Sequence, residues 1–501
     1  MQNHAKYMTT RPTSWTGILT CVFSARHIAY LIVGLTLLKI AAVVFHSPIF
    51  GYANNYDFVR KSACVGIWQN QLGRDKTANH PEAPVNNLIF DGDRINPLCA
   101  KSSDNFFAHI SRKLHKVGDR IDFREMSVYR WVMLMAMVLL LMRVTDNERL
   151  KIIFSLLFFL VWGDFAIELY FNTLYNEFSV VMGCFFAASC VVLLTQRSMP
   201  PHREKATFSL LVFSIVWLGF SKQQYVPLAS LLALLAALIM ILHRRRWKMF
   251  LLLMCALMLP LLYARLNNDA SGLLAAIDQA NKTNTFMAAV LPAVADQPQA
   301  LQDLGLPPSC LAAIGKSWYD PQVQQNNPCP EVKQLSRLDL FKLFWREPAA
   351  AYIPLYRGIL EANKMYPNYL GYVEQPSQLE NAWYRTARFG SLTILLSTLP
   401  GPLFFGITVG SLLFSALSGM VLALRFARGR NDQLRLDVVM LSLIVMGGLL
   451  IFYALVSSVF GDGYWELPKH AVVLGQGFAF QLCGIGLAGW LIAEKAMKLK
   501  A

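Results

Sequence analysis

The strongest constraint on this chain is a set of long apolar blocks that are almost free of charge. Ten stand out, at about residues 28–45, 128–142, 152–169, 178–194, 207–220, 226–242, 249–263, 403–424, 438–460 and 471–492. A hydrophobic stretch of about 18 or more residues reads as a membrane span. Blocks two, five and seven are shorter and are expected to extend into neighbouring polar residues. The chain is 55% hydrophobic and only 15% charged, which excludes a disordered polymer. The expected fold class is an all-α membrane protein of about ten transmembrane helices with two long external loops. The first block starts late, and no small-residue cleavage pattern follows it, so it reads as an uncleaved anchor rather than a signal peptide.

Charge then orients the chain. One alternating set of connecting segments carries 20 Lys and Arg against 6 Asp and Glu, which accounts for nearly all of the formal net charge of +15. Positive charge concentrates on cytoplasmic loops. The excess therefore marks orientation in the membrane and not a nucleic-acid surface. Both termini are expected in the cytoplasm, as residues 1–27 and the tail 493–501. Residues 28–263 are expected to form a membrane domain of spans 1–7 with a first external loop at 47–127. Residues 264–402 are expected to form a large external subdomain, and 403–492 spans 8–10. Each external loop holds two cysteines, Cys64 with Cys99 and Cys310 with Cys329. One pair per loop suits an oxidising compartment and two within-loop disulfides.

Ionisable groups at a membrane boundary are functional suspects by default. Asp57 lies among amides and aromatics a dozen residues after the first block, with Arg60 and Lys61 behind it. A carboxylate can deprotonate an acceptor hydroxyl, and cations beside it can hold a phosphate; a plain Asp57–Arg60 pair capping the loop entry is the structural alternative. Asp164 and Glu168 are four residues apart, close to Glu177. They line the same cavity as Asp57, or they bond to aromatics or to cations of another span. Lys222 sits alone in the short turn before the sixth block, where an ammonium can neutralise a lipid-linked phosphate or snorkel to headgroups. Lys469 and His470 open the last block, where they can point at a headgroup or diphosphate. Trp345, Tyr352, Tyr356, Tyr366, Tyr369 and Tyr372 suit sugar stacking or ordinary loop packing. Asp91-Gly92-Asp93 is a triplet of the kind that holds a divalent cation through oxygen ligands, a match close to chance at this length. No P-loop, no H-E-x-x-H and no G-x-S-x-G with a plausible triad occurs.

The order of these parts resembles the GT-C superfamily of integral-membrane glycosyltransferases, and more narrowly a bacterial cell-envelope glycan branch. The resemblance rests on N-N-x-D-F-x-R at 54–60, Y-F-N-T-x-Y-x-E at 170–177, Lys222 between the fifth and sixth blocks, the element at 296–306, and a G-D-G turn at 461–463 that leads to Lys469-His470. It departs from the branch at Tyr56, where Gly is usual, at Thr173, where Ser is usual, and at Gln297, where Pro is usual. The resemblance implies a polyprenyl-phosphate-linked sugar donor, a glycan or lipid-linked acceptor, and inversion at the anomeric carbon. By position Asp57 matches the general base. Lys222, Lys469 and His470 match phosphate-binding roles, with Arg60 a further candidate, and Glu177 matches the branch's glutamate. The competing reading is a transporter or flippase of lipid-linked glycans, which would need charges deep within several spans and helices broken at mid-membrane.

Overall fold

A computed structural model describes residues 24–52, 56–70, 75–76, 87–196, 199–243, 245–365, 388–427 and 436–500. Along the chain, α1 (Ala25–Val44) is followed by the short α2 (Tyr56–Val65) and α3 (Asn105–Leu114). Next come α4 (Phe123–Val144), α5 (Glu148–Trp162), the one-turn α6 (Phe165–Glu168), α7 (Glu177–Leu194), α8 (Pro201–Gly219), α9 (Val226–Leu242) and α10 (Arg246–Leu266). A polar stretch holds α11 (Ser271–Lys282), α12 (Asp339–Arg346), α13 (Ala349–Ala362) and α14 (Leu392–Ser397). The chain closes with α15 (Gly401–Ala427), α16 (Leu436–Asp462), the one-turn α17 (Leu467–His470) and α18 (Leu474–Lys500).

The chain is a multi-pass, essentially all-α membrane protein. Among the described residues eight helices are long and apolar enough to cross a bilayer: α1, α4, α7, α9 with its leading turn, α10, α15, α16 and α18. A ninth is the bent pair of α5 and Phe165–Asn172, which meet at 66°. The fifth expected block falls on α8. That helix packs between α7 and α9, but its first turns carry Arg203, Glu204 and Lys205, more charge than a spanning window normally holds. α7 is buried along its whole length and forms the centre of the bundle, whereas α10 and α15 are mostly exposed and form its apolar margins. α16 and α18 approach backbone to backbone: a methyl group on Gly447 would lie 2.5 Å from the carbonyl oxygen of Gly477. Close contact of this kind is how helices associate when lipid and protein are equally apolar.

The break between α5 and α6 is built from charged side chains. Asp164 caps α6 by accepting from the amide of Ala166 (3.0 Å), and it also accepts from Ser391 Oγ (2.8 Å), Thr393 N (2.7 Å) and Thr393 Oγ1 (2.6 Å). Lys39 of α1 donates to the carbonyl of Gly163 and to Glu168 (3.1 Å). The two acids therefore serve different neighbours, a turn and a cation of another span, and neither bonds to Asp57 in the contacts described. The next turn is held by Arg130, which is fully buried in α4. Its guanidinium donates to the carbonyls of Tyr170 (3.2 Å), Phe171 (2.6 Å) and Thr173 (2.7 Å) and pairs with Asp104 (2.5 Å). Asn172 donates to the carbonyls of Val44 (2.9 Å) and Phe50 (2.7 Å), tying the turn to the end of α1.

Two polar segments sit at one end of the bundle, joined where Lys101 N donates to Asn267 Oδ1 (2.7 Å). The first contains the only strands among the described residues, an antiparallel sheet in the order β1 (Ile67–Gln69), β2 (Asn87–Phe90), β3 (Arg120–Asp122). Phe58, Val59, Ile67, Trp68, Leu88 and Phe123 pack beneath it, beside the Cys64–Cys99 disulfide. The second has its own core of Phe286, Met287, Val290, Leu301, Val332 and Leu343 around the Cys310–Cys329 disulfide. The element at 296–306 serves this core. Asp296 caps the helix Gln297–Asp303, Gly305 ends it at φ +69°, and Leu301 and Leu306 are buried.

Replacing Arg130 with Met is expected to cost about 3–5 kcal/mol, because it strands the buried Asp104 together with three carbonyls. Thermal unfolding in detergent should register that loss. The Arg130→Met/Asp104→Leu variant should recover part of it, since no buried charge is then left alone. A double variant no more stable than the single would contradict the pairing.

Candidate functional site

The site forms where four distant pieces of chain meet at the polar end of the bundle. Asp57 stands in the first turn of α2 and Glu177 in the first turn of α7, positions where a carboxylate is favoured by the helix dipole. Lys222 lies in the turn before α9, and Lys469 and His470 lie on α17. That last turn depends on its backbone. Gly463 has φ +64°, and a Cβ there would lie 2.5 Å from the carbonyl oxygen of Asn284. Glu466 adopts φ 48°. Two left-handed residues within four positions reverse the chain after α16 and aim Lys469 back over the site.

These residues form one connected network. Asp57 accepts from Arg60 (2.8 Å) and from Lys469. Lys469 is 1% exposed, donates also to Glu466 (3.2 Å), and stands 4.6 Å from the centre of the Tyr175 ring. Lys222 donates to Glu177 (2.8 Å) and lies 3.2 Å from His470 Nδ1. His470 Nε2 meets Asp462 at 3.1 Å, and its Nδ1 lies 3.1 Å from Gln224 Oε1. Asn284 donates to Asp462 (2.8 Å), and Tyr319 stacks on Trp465 at 4.5 Å, so the second polar segment roofs this end of the site.

Electrostatics follow from that packing. Burial works to raise the Asp57 carboxyl, but Lys469, Arg60 and Lys222 outweigh it and hold it well below the usual carboxylate range. Burial works to lower the Lys469 ammonium, and Asp57, Glu466, Tyr175 and Glu177 carry it well above its ordinary value. Asp57 and Lys469 thus form a charged pair across 412 positions of sequence.

The six residues that the resemblance assigns to the site, Asp57, Arg60, Glu177, Lys222, Lys469 and His470, lie in this network. Asn54 and Asn55 of the first motif, and Tyr366, Tyr369 and Tyr372, lie outside the described residues. Trp345 and Tyr352 are exposed and stand apart from the site contacts. The Asp91/Asp93 pair does not fit a divalent cation, because Lys76 occupies both carboxylates. Cys310 and Cys329 approach Glu331, but their sulfurs are spent on each other. A cavity of about 190 Å³ lies at the opposite end of the bundle, where Glu204 faces Arg245. Glu204 is bonded there to Lys248 and Arg245 and belongs to no part of this network.

The structure adds residues that sequence reasoning left unassigned. Asp462, Glu466 and Gln224 partner His470 and Lys469; the density of polar groups at 461–470 was the signal for the first two, and the polar turn at 221–225 for Gln224. Lys61 is buried one turn after Asp57 and donates to the Ala100 carbonyl (2.8 Å) and Ser102 Oγ (2.9 Å). Ser102 passes the contact to Asn176 (2.8 Å), next to Glu177. Burial lowers the Lys61 ammonium to about 8, against the partial support of Asp104, Asp57 and Glu177.

The family described as the YfdI N-terminal transmembrane domain matches this chain over residues 18–500. No curated protein and no solved structure matches it.

The low value for Lys61 has a consequence for stability. Between pH 8 and the usual 10.5 the unfolded chain keeps a proton that the folded chain has released, so stability rises with pH across that window. The wild type should gain thermal stability relative to Lys61→Met as pH is raised through it. Parallel pH profiles for the two proteins would contradict the burial of this amine.

Proposed function

The chain belongs to the YfdI N-terminal transmembrane domain family, and from that premise we propose that it is a membrane glycosyltransferase using a polyprenyl-phosphate-linked sugar. The supporting observation is the Asp57 carboxylate bonded by Lys469 and Arg60, with Lys222 in electrostatic reach, at the polar end of the spans. In this proposal the site end faces outward from a bacterial inner membrane with both termini cytoplasmic, an orientation that the charge asymmetry of the connecting segments supports. The polar segments, at 47–127 and 264–402, are then external.

In this reading the donor phosphate binds Lys469, Lys222 and His470, with Arg60 beside them. The acceptor oxygen attacks the anomeric carbon from the face opposite the phosphate, and the bond from that carbon to the phosphate oxygen breaks. The acceptor proton passes to Asp57, and the polyprenyl phosphate leaves on the cations. A base works best with a pKa near the operating pH, and with Lys469 bonded to it Asp57 is a weak one. A phosphate that draws Lys469 away removes the largest attractive charge on the carboxylate and restores its basicity. Donor binding and base activation are coupled through one lysine.

The flippase reading has one observation in its favour, the pair between part-exposed Lys39 and buried Glu168 at a broken helix. That break joins the end of α1 through Asn172 and so lies toward the site end of the bundle, away from the midplane position a carrier would use.

Purified protein given a polyprenyl-phosphate sugar and a lipid-linked acceptor should transfer the sugar. Asp57→Asn should abolish transfer at unchanged abundance, with some loss of thermal stability, because the buried Lys469 is left with Glu466 alone as its bonded carboxylate. Lys222→Ala should chiefly raise KM for the donor. Wild-type turnover by Asp57→Asn would remove Asp57 from the mechanism, and transbilayer movement of the lipid without transfer would favour the flippase.

A further inference from the structure

We infer that α12 and the first turns of α13 lie flat in the headgroup layer of the bilayer leaflet on the site's side and bind anionic lipid. The helix α12 is apolar on two opposite faces. Leu340 and Leu343 are buried in the core of the second polar segment, and Phe344 packs against Phe460 at 5.0 Å. On the other face Leu338, Phe341 and Trp345 recur at helical spacing and are 71%, 66% and 90% exposed. A helix with two apolar faces needs a second apolar medium, because large exposed apolar patches are rare on surfaces that meet only water.

Position identifies that medium. Phe460 is near the end of the spanning helix α16, so α12 sits level with the membrane boundary. Tyr352 continues the exposed face onto α13, and Tyr356 reaches Phe405 at 5.0 Å, near the start of α15. The spanning helix α15 is mostly exposed, and its Leu403 is bare beside this contact. The outward face of α12 and α13 is therefore continuous with the lipid-facing surface of the bundle. Aromatic residues favour that level of a bilayer.

Charge fits the same partner. Lys342 lies between Phe341 and Trp345 with a side chain 68% exposed and paired to Asp339, Arg346 is 61% exposed and paired to Asp303, and Lys364, just past α13, is 69% exposed and paired to Glu361, so each basic end reaches a lipid phosphate by exchange with a carboxylate of the protein. Basic side chains on an apolar helix face bury their stems and present their ends to anionic headgroups. This placement does not depend on the glycosyltransferase reading, because it concerns a surface away from Asp57 and Lys469.

The test is tryptophan fluorescence of the full chain in bilayers of phosphatidylethanolamine and phosphatidylglycerol. The signal of Trp345 is the emission of the wild type minus that of Trp345→Phe. Lipid brominated on the upper part of the acyl chain should quench this difference, and a Lys342→Glu variant should weaken the quenching. Phe341→Trp in the Trp345→Phe background reads the same face one turn earlier and should be quenched likewise. Quenching by aqueous iodide without quenching by bromolipid would overturn the proposal by placing the face in water. Protection from both quenchers would overturn it too, by showing that protein, such as a second copy of the chain, covers the face.

Discussion

A buried turn cannot leave its carbonyls bare, and in this protein one arginine satisfies three of them. Arg130 comes from a spanning helix into the 170–173 turn and is itself neutralised by Asp104. Without water to bond, an unpaired carbonyl costs several kcal/mol in an apolar interior. The turn therefore keeps the shape that Arg130 imposes. That shape leads directly into Tyr175, Asn176 and Glu177, and thence to Lys222. Asp104 also accepts from Ser179 (2.8 Å), so the same pair clamps the first turn of α7. A site assembled from residues near 57, 177, 222 and 469 has no local contact to hold it. Its registration comes from this buried clamp and from the left-handed turn before Lys469.

The site itself is close to neutral even though it is crowded with charge. Lys469 stands between Asp57 and Glu466, Lys222 between Glu177 and His470, and His470 between Lys222 and Asp462. Such pairing avoids the large penalty of an isolated buried charge. It also means that an incoming anion competes with carboxylates already present. On the proposed reading, binding a phosphate would be an exchange of partners, with Asp57 the group released. The two polar segments close over this arrangement from opposite sides, one carrying Asp57 and the other supplying Asn284 and Tyr319.

The membrane class was legible in the sequence because apolar length is a local property. Both disulfide pairings were legible as well, since each polar segment held two cysteines. The motif at 170–177 was visible as a string, but its residues divide between tasks: Asn172 ties the turn to α1, Tyr175 lies under Lys469, and Glu177 holds Lys222. The charge of Asp164 and Glu168 looked the same in sequence as that of Glu177. Their different uses depend on Ser391 and Thr393 for the one and Lys39 for the other, partners more than 120 positions away. The D-x-D triplet was ambiguous too, and Lys76, 15 and 17 positions before its two carboxylates, resolved it.

The sequence by itself determined the all-α membrane class, the positions of most spans, the charge asymmetry between the two sets of loops and the residues worth suspecting. Each of these follows from hydropathy, charge or spacing within a few turns of chain. Only the tertiary structure decided that Asp57 meets Lys469, that Lys222 meets Glu177 and His470, and that Lys61 is buried behind them. It also decided which apolar surface faces protein and which faces lipid. Hydropathy cannot make that distinction, because a buried helix and a lipid-facing one are equally apolar, and an ion pair across the fold leaves no periodic trace in the chain.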